Sequence, residues 1–191
     1  RLLAVGGHPG DLAAGRLLYR AAAMALPTLD KLGLKSPQGG RRDYAVLTLH
    51  RPANVDNREV LASLGEALCT IGKQMPVVFP VHPRTRARIQ EFGLADVFSA
   101  QNGLSLVEPM GYLDFLNLTA NARVVLTDSG GIQEETTILG VACLTLRPNT
   151  ERPITVTQGT SQLVGNDTKA ITEGFENVVS GRYRISSRVT E

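Results

Sequence analysis

The residues of this chain best suited to polar chemistry fall in four short stretches: His50-Arg51, His82-Pro83-Arg84, Asp128-Ser129-Gly130-Gly131, and the RPNTERP run from Arg147 to Pro153. A histidine can exchange a proton or contact a phosphate, and Arg51 beside His50 can fork onto an oxyanion. A Ser129-Gly130-Gly131 turn opening a helix offers free backbone N–H groups and the positive end of the helix dipole, which suits phosphate or diphosphate. Glu134 and Glu135 just behind that turn have the chemistry to take ribose hydroxyls. The last stretch carries Arg147, Thr150, Glu151 and Arg152 with Pro148 and Pro153, whose stiffness lowers the entropy lost in positioning side chains. Each stretch also has a plain structural alternative: a backbone-satisfied loop histidine, a turn shaped by Pro80, Pro83 and Arg84, an ordinary strand-to-helix turn, and a rigid solvated loop. Tyr112 and Phe115 could border a planar base or simply be core. His8, His50 and His82 show no H-x-x-x-H spacing and the cysteines no C-x-x-C, so no metal site is indicated.

What would position these groups is a series of short apolar strands alternating with helical patterns. Tyr44–Leu49 and Pro76–Val81 read as strands that deliver His50 and His82 at their C-terminal ends. Val124–Leu126 is a third, Ala142–Leu146 a fourth, and Val97–Ala100 and Leu163-Val164 begin shorter ones. Helices are expected over Asn57–Ile71, Thr85–Phe92, Tyr112–Asn121 (with Leu113, Leu116 and Ala120 on its apolar face), Ile132 to a stop at Gly140, and Thr168–Val179. Arg1–Val5 suggests a further strand, and Asp11 caps an alanine-rich helix running towards Leu32 with Gly33 as its stop. Strands that are nearly all apolar are buried on both faces, the mark of a parallel, doubly wound α/β sheet. Ligands of such sheets bind outside the carboxyl ends of the strands, where the four stretches lie.

Composition narrows the function classes. A net charge of +2 gives neither a nucleic-acid footprint nor a polybasic membrane surface. No run of about 18 apolar residues is present, so no spanning helix is expected. Cys69 and Cys143 sit in apolar segments and read as reduced thiols of a cytosolic protein. The 191 residues suit one domain, and the first residue is Arg rather than Met, which raises the expectation of a longer parent protein.

Five segments together carry a family resemblance: LTLHRPANVDN (Leu47–Asn57), FPVHPRTR (Phe79–Arg86), EPMGYLDF (Glu108–Phe115), LTDSGGIQEE (Leu126–Glu135) and LTLRPNTERPITVTQGTSQLVG (Leu144–Gly165). In this order and at these separations they resemble the non-hydrolysing UDP-N-acetylglucosamine 2-epimerases, over roughly residues 44 to 179. The resemblance implies a GT-B-like fold of two Rossmann-like domains, of which this chain is similar to the C-terminal, nucleotide-binding one, with the N-terminal domain missing. It implies reversible inversion at C2 of UDP-GlcNAc to UDP-ManNAc, by elimination of UDP to a 2-acetamidoglucal and re-addition, with no metal or redox cofactor. By the same resemblance His50 is the active-site histidine with Arg51 beside it, and Ser129, Gly130 and Gly131 hold the diphosphate. Glu135 takes the ribose, Tyr112 and Phe115 border the uracil, and His82 belongs to a second, regulatory UDP-GlcNAc site. Two departures stand out: Ala53 replaces the acidic residue of the family's HR-x-E-N pattern, and Gly6-Gly7 replaces a Gly-Asn.

The N-terminal domain of the family supplies acidic residues for proton transfer, so these 191 residues alone are expected to bind UDP with little turnover. Competing readings are a hydrolysing epimerase, a glycosyltransferase-like donor domain, and a non-catalytic UDP-sugar-sensing module. Self-association, including a homodimer, is a further expectation, because half a cleft exposes apolar surface.

Overall fold

The computed structural model describes residues 28–34 and 42–183. The expected strand at Arg1–Val5, the turn after it and most of the first helix lie outside the described residues. Of that helix only α1 (Thr28–Lys31) is described, ending at Gly33 with a positive φ of 65°.

Among the described residues six strands form one wholly parallel sheet: β1 (Ala45–Thr48), β2 (Val77–Pro80), β3 (Leu104–Val107), β4 (Val124–Thr127), β5 (Ala142–Thr145) and β6 (Ser161–Leu163), in the order β3-β2-β1-β4-β5-β6. Register runs Ala45 to Val124 through Thr48 to Thr127, so β1 and β4 end level with each other. This order reverses direction between β1 and β4. The chain first winds outward to β3, then returns to lay β4 on the other side of β1, leaving a crevice at the switch point.

Alternation along each strand feeds two cores. Ala45, Leu47, Val77, Phe79, Val124 and Leu126 face one side, with Leu61, Leu64, Leu68 and Ile71 of α3 (Arg58–Gly72) and Ile171, Phe175 and Val178 of α8 (Thr168–Val179). Tyr44, Val46, Val78 and Val125 face the other, with Leu29 and with Leu118 of α5 (Tyr112–Ala120). Burial of both faces explains why the four inner strands carry no polar residue before their last position, whereas the edge strands β3 and β6 do.

Two expectations need correction. The third strand begins at Leu104, not within Val97–Ala100. Residues 96–103 instead form a tight turn: the Asn102 side-chain amide donates to the carbonyls of Asp96 and Val97, followed by Gly103 at φ 78°. A Cβ on Gly103 would lie 2.2 Å from the Gly72 carbonyl oxygen, so this turn and the end of α3 meet backbone to backbone. Val97 and Phe98 are apolar because they pack against α3, not because they are strand. On α5, Leu116 is buried as expected, but Leu113 is exposed, and the buried set is Leu116, Asn117, Leu118 and Thr119. A short helix at this crossover is covered from more than one side, which a single-face pattern does not capture.

Candidate functional site at the sheet switch point

The site begins with Asp128, the residue after β4. Its side chain is fully buried. A carboxylate removed from water must be supplied with donors, and the chain after β1 supplies them. The backbone N–H groups of His50 and Arg51 donate to Oδ2 at 3.1 and 2.9 Å, and Asn54 Nδ2 donates to the same oxygen at 3.2 Å. His50 Nδ1 lies 2.9 Å from Oδ1. Asn54 comes from α2 (Pro52–Val55) and also donates to the Leu146 carbonyl, tying the ends of β1, β4 and β5 together. Burial pushes the Asp128 carboxyl upward, but the His50 imidazole and the two backbone donors outweigh it and hold it below the usual carboxylate range. The same hydrogen bond, against partial burial, raises His50 above its ordinary value. Sequence reasoning passed over Asp128 as a partner. The available signal was an acidic residue directly after a strand with no other polar interior position.

The second part is the start of α6 (Gly130–Leu139). Ser129 is its N-cap in extended conformation, and its side chain makes no capping hydrogen bond. The helix starts two residues before the expected Ile132, so Gly130 and Gly131 are its first turn rather than a bend before it. Neither has positive φ, and a Cβ on either would meet nothing nearer than 3.8 Å. The fold therefore does not require glycine at either position. First-turn N–H groups of a helix have no intrahelical acceptor, and here no side chain crowds them.

Glu135 stands in the second turn of α6. Tyr112 Oη donates to its Oε1 at 3.3 Å, while the buried Oε2 has no hydrogen-bond partner among the described residues. Burial raises its pKa. A half-satisfied buried carboxylate is costly, and it matches a ligand that brings a hydroxyl. Tyr112 is 56% exposed, whereas Phe115 is half-buried against the Tyr44–Val46 core. The two aromatics thus divide between surface and core.

The third part is the loop from Arg147 to the start of α7 (Pro153–Thr157). Arg147 grips both oxygens of Glu151 at 2.7 Å each, and Arg51 approaches the same carboxylate at 3.8 Å. The Arg147 guanidinium holds the Glu151 carboxyl down at about 2. Arg152 pairs with Glu134 at 3.0 Å. Thr150 donates to Gln133 Oε1 at 2.8 Å, and Gln133 Nε2 donates to the Ser129 carbonyl at 3.3 Å. Buried Gln133, missed by sequence reasoning, is what fastens this loop to the open helix end. A glutamine inside a helical pattern gives no sign of that.

His82 lies apart from this constellation. It caps α4 (Pro83–Glu91), its Nδ1 accepting the Arg84 N–H at 3.2 Å. Arg84 and Arg88 both pair with Asp56. Ala53 is exposed on α2. Cys143 is buried and Cys69 half-buried, both free thiols. Among the described residues there is no group of three His, Cys, Asp or Glu able to hold a metal ion, and no helix is long and apolar enough to cross a membrane.

A family model described as UDP-N-acetylglucosamine 2-epimerase matches residues 10–190. The UDP-N-acetylglucosamine 2-epimerase of Methanocaldococcus jannaschii is 46% identical over 136 residues, covering 70% of this chain and 37% of that protein. A Pseudomonas aeruginosa UDP-2,3-diacetamido-2,3-dideoxy-D-glucuronate 2-epimerase is 37% identical over 193 residues, 95% of this chain and 51% of that protein. The crystal structure of the M. jannaschii enzyme in complex with UDP-GlcNAc and UDP superposes with a TM-score of 0.78 at 35% identity, covering 93% of this chain and 48% of that one. The chain thus spans about half the length, or less, of these relatives.

Proposed function

Since the chain belongs to the UDP-N-acetylglucosamine 2-epimerase family, we propose that it is the nucleotide-binding C-terminal half of an enzyme that interconverts UDP-GlcNAc and UDP-ManNAc. The observation that carries the reading is the open N-terminus of α6: two glycines the fold does not need, followed one turn later by a buried Glu135 oxygen without a partner. The first feature suits a diphosphate approaching backbone N–H groups, and the second a ribose hydroxyl at the distance of one helical turn.

The chemistry follows from these placements. Elimination takes the proton from C2, forms the C1=C2 bond of a 2-acetamidoglucal and breaks the C1–O bond, whose electron pair leaves on the UDP β-phosphate. The N–H groups of Gly130 and Gly131, with the Ser129 hydroxyl, receive that growing negative charge without reorganising. His50 stands across the crevice after β1 and adds a donor on the same side. Arg51, Arg147, Thr150, Glu151 and Arg152 form the wall beside the sugar, with Arg147 serving to fix Glu151. Tyr112 and Phe115 border the uracil, and Tyr112 also positions Glu135. Re-addition of UDP at C1, with return of a proton to C2 on the face opposite the one it left, gives the C2 epimer. An N-terminal domain closes the cleft and supplies the acidic residues that exchange the C2 proton, so this half by itself binds UDP and turns over little. His82, just past the next strand, is assigned to a second UDP-GlcNAc that regulates the enzyme.

Calorimetric titration with UDP tests the reading. Saturable binding that weakens at least about tenfold in both Ser129→Ala and Glu135→Ala is expected, the loss for one or two charge-assisted hydrogen bonds. No binding at millimolar UDP by the folded chain would overturn the placement of the site.

A further inference from the structure

We propose that Asp128 is the positioning residue of the active-site histidine: it holds His50 with the proton on Nδ1 and leaves Nε2 as the nitrogen presented to the nucleotide. The proposal rests on the reading of His50 as an active-site group, but its geometry stands independently. Asp128 is an ionised, wholly buried acceptor, and Nδ1 is 2.9 Å from its Oδ1. Its other oxygen is occupied by the N–H groups of His50 and Arg51 and by Asn54 Nδ2. The carboxylate is thus fixed in orientation by three donors that cannot move without unfolding the end of β1. An acceptor fixed in this way demands a donor from the imidazole, which only Nδ1–H can supply. The histidine side chain is 46% exposed, so Nε2 is the nitrogen left to the open side.

The charged groups facing the imidazole are Asp128 from the end of β4 and Arg51 on its own segment; Glu151 of the 147–153 loop faces Arg51 in turn. The carboxylate favours the imidazolium and Arg51 opposes it, with a net upward shift. When charged, His50 donates through Nε2 to a phosphate oxygen; when neutral, it presents a lone pair there. Asp128 itself touches no substrate.

Imidazole nitrogen NMR on the 191-residue chain, without and with UDP, tests this. The expected result is a neutral His50 protonated on Nδ1, with its titration midpoint above that of an ordinary histidine. In Asp128→Asn the amide turns its donor towards Nδ1, so the proton moves to Nε2 and the midpoint falls. UDP affinity, expected to decline as the pH passes above the wild-type midpoint, loses that dependence in the variant. A wild-type His50 protonated on Nε2 overturns the proposal even if Asp128→Asn fails to fold, and so does a folded variant with unchanged tautomer and midpoint. Failure of UDP to bind, with the tautomers as expected, strikes the nucleotide reading and leaves the positioning role intact.

Discussion

His50 and His82 occupy the same place in the pattern, two residues beyond the ends of the neighbouring parallel strands β1 and β2. Their Nδ1 atoms do opposite things. In His82 it accepts the N–H of Arg84 and closes its own helix terminus. In His50 it faces the buried Asp128 carboxylate delivered by β4. The two helix ends differ likewise: α4 begins with Pro83 under a histidine cap, whereas α6 begins with two glycines under a serine that does not cap. The difference follows from topology. Of β1 and β2, only β1 lies next to β4, so only its histidine meets a residue returning from the second half of the fold. Of two like histidines, the one at the switch point is held from outside its own segment and remains partly exposed.

The comparison breaks first at Asp128. Replacement by alanine orphans the backbone donors of His50 and Arg51 and the Asn54 amide, and should cost about 3 kcal/mol by urea unfolding, at about 1 kcal/mol or more per stranded donor. Next come the helix ends. Gly130→Val or Gly131→Val should weaken UDP at least about tenfold in calorimetry, about 1.4 kcal/mol, by covering the N–H groups. Gly130→Ala should leave stability equal or raise it by up to about 1 kcal/mol, because its Cβ has room and alanine is less costly in a helix.

The pH response is smaller and sharpens the contrast. His50 has its pKa raised on folding, so its stabilising contribution is fully present below 6.5 and is lost as pH rises through the raised value. Asp128 has its pKa lowered, so its contribution is present above 3.8 and is lost as pH falls through the lowered value. The contribution of these two groups is therefore level between those limits and falls on both sides, and His50→Gln should reduce the alkaline decline of the urea midpoint. The smallest effect belongs to His82→Ala, which removes a cap worth about 0.5–1 kcal/mol and should leave UDP affinity unchanged in calorimetry.

Much of this was legible in the residues. The final helix has the expected bounds Thr168–Val179, and the helix expected over Asn57–Ile71 runs Arg58–Gly72 with Asn57 as its cap. Tyr44 to Leu49, delivering His50, and Val124 to Leu126, leading to Asp128, could be read as doubly buried strands because they are nearly all apolar. The family itself was legible from DSGGIQEE and TERP. Pattern failed where apolar residues pack without forming a strand, as at Val97 and Phe98. It also failed where a polar residue is buried by a distant partner, as at Gln133 and Asn54.

By itself, then, the sequence determined the parallel α/β class, the strands with histidine or aspartate just past their carboxyl ends, and a helix that opens on two glycines. These are local properties, written in burial period, glycine placement and capping. The tertiary structure decided which strand ends become neighbours. Strand order is set by crossovers and by packing of helices on both faces, and no residue in β1 encodes that β4 will lie beside it. That adjacency joins Asp128 to His50 and so separates two histidines that the pattern places alike.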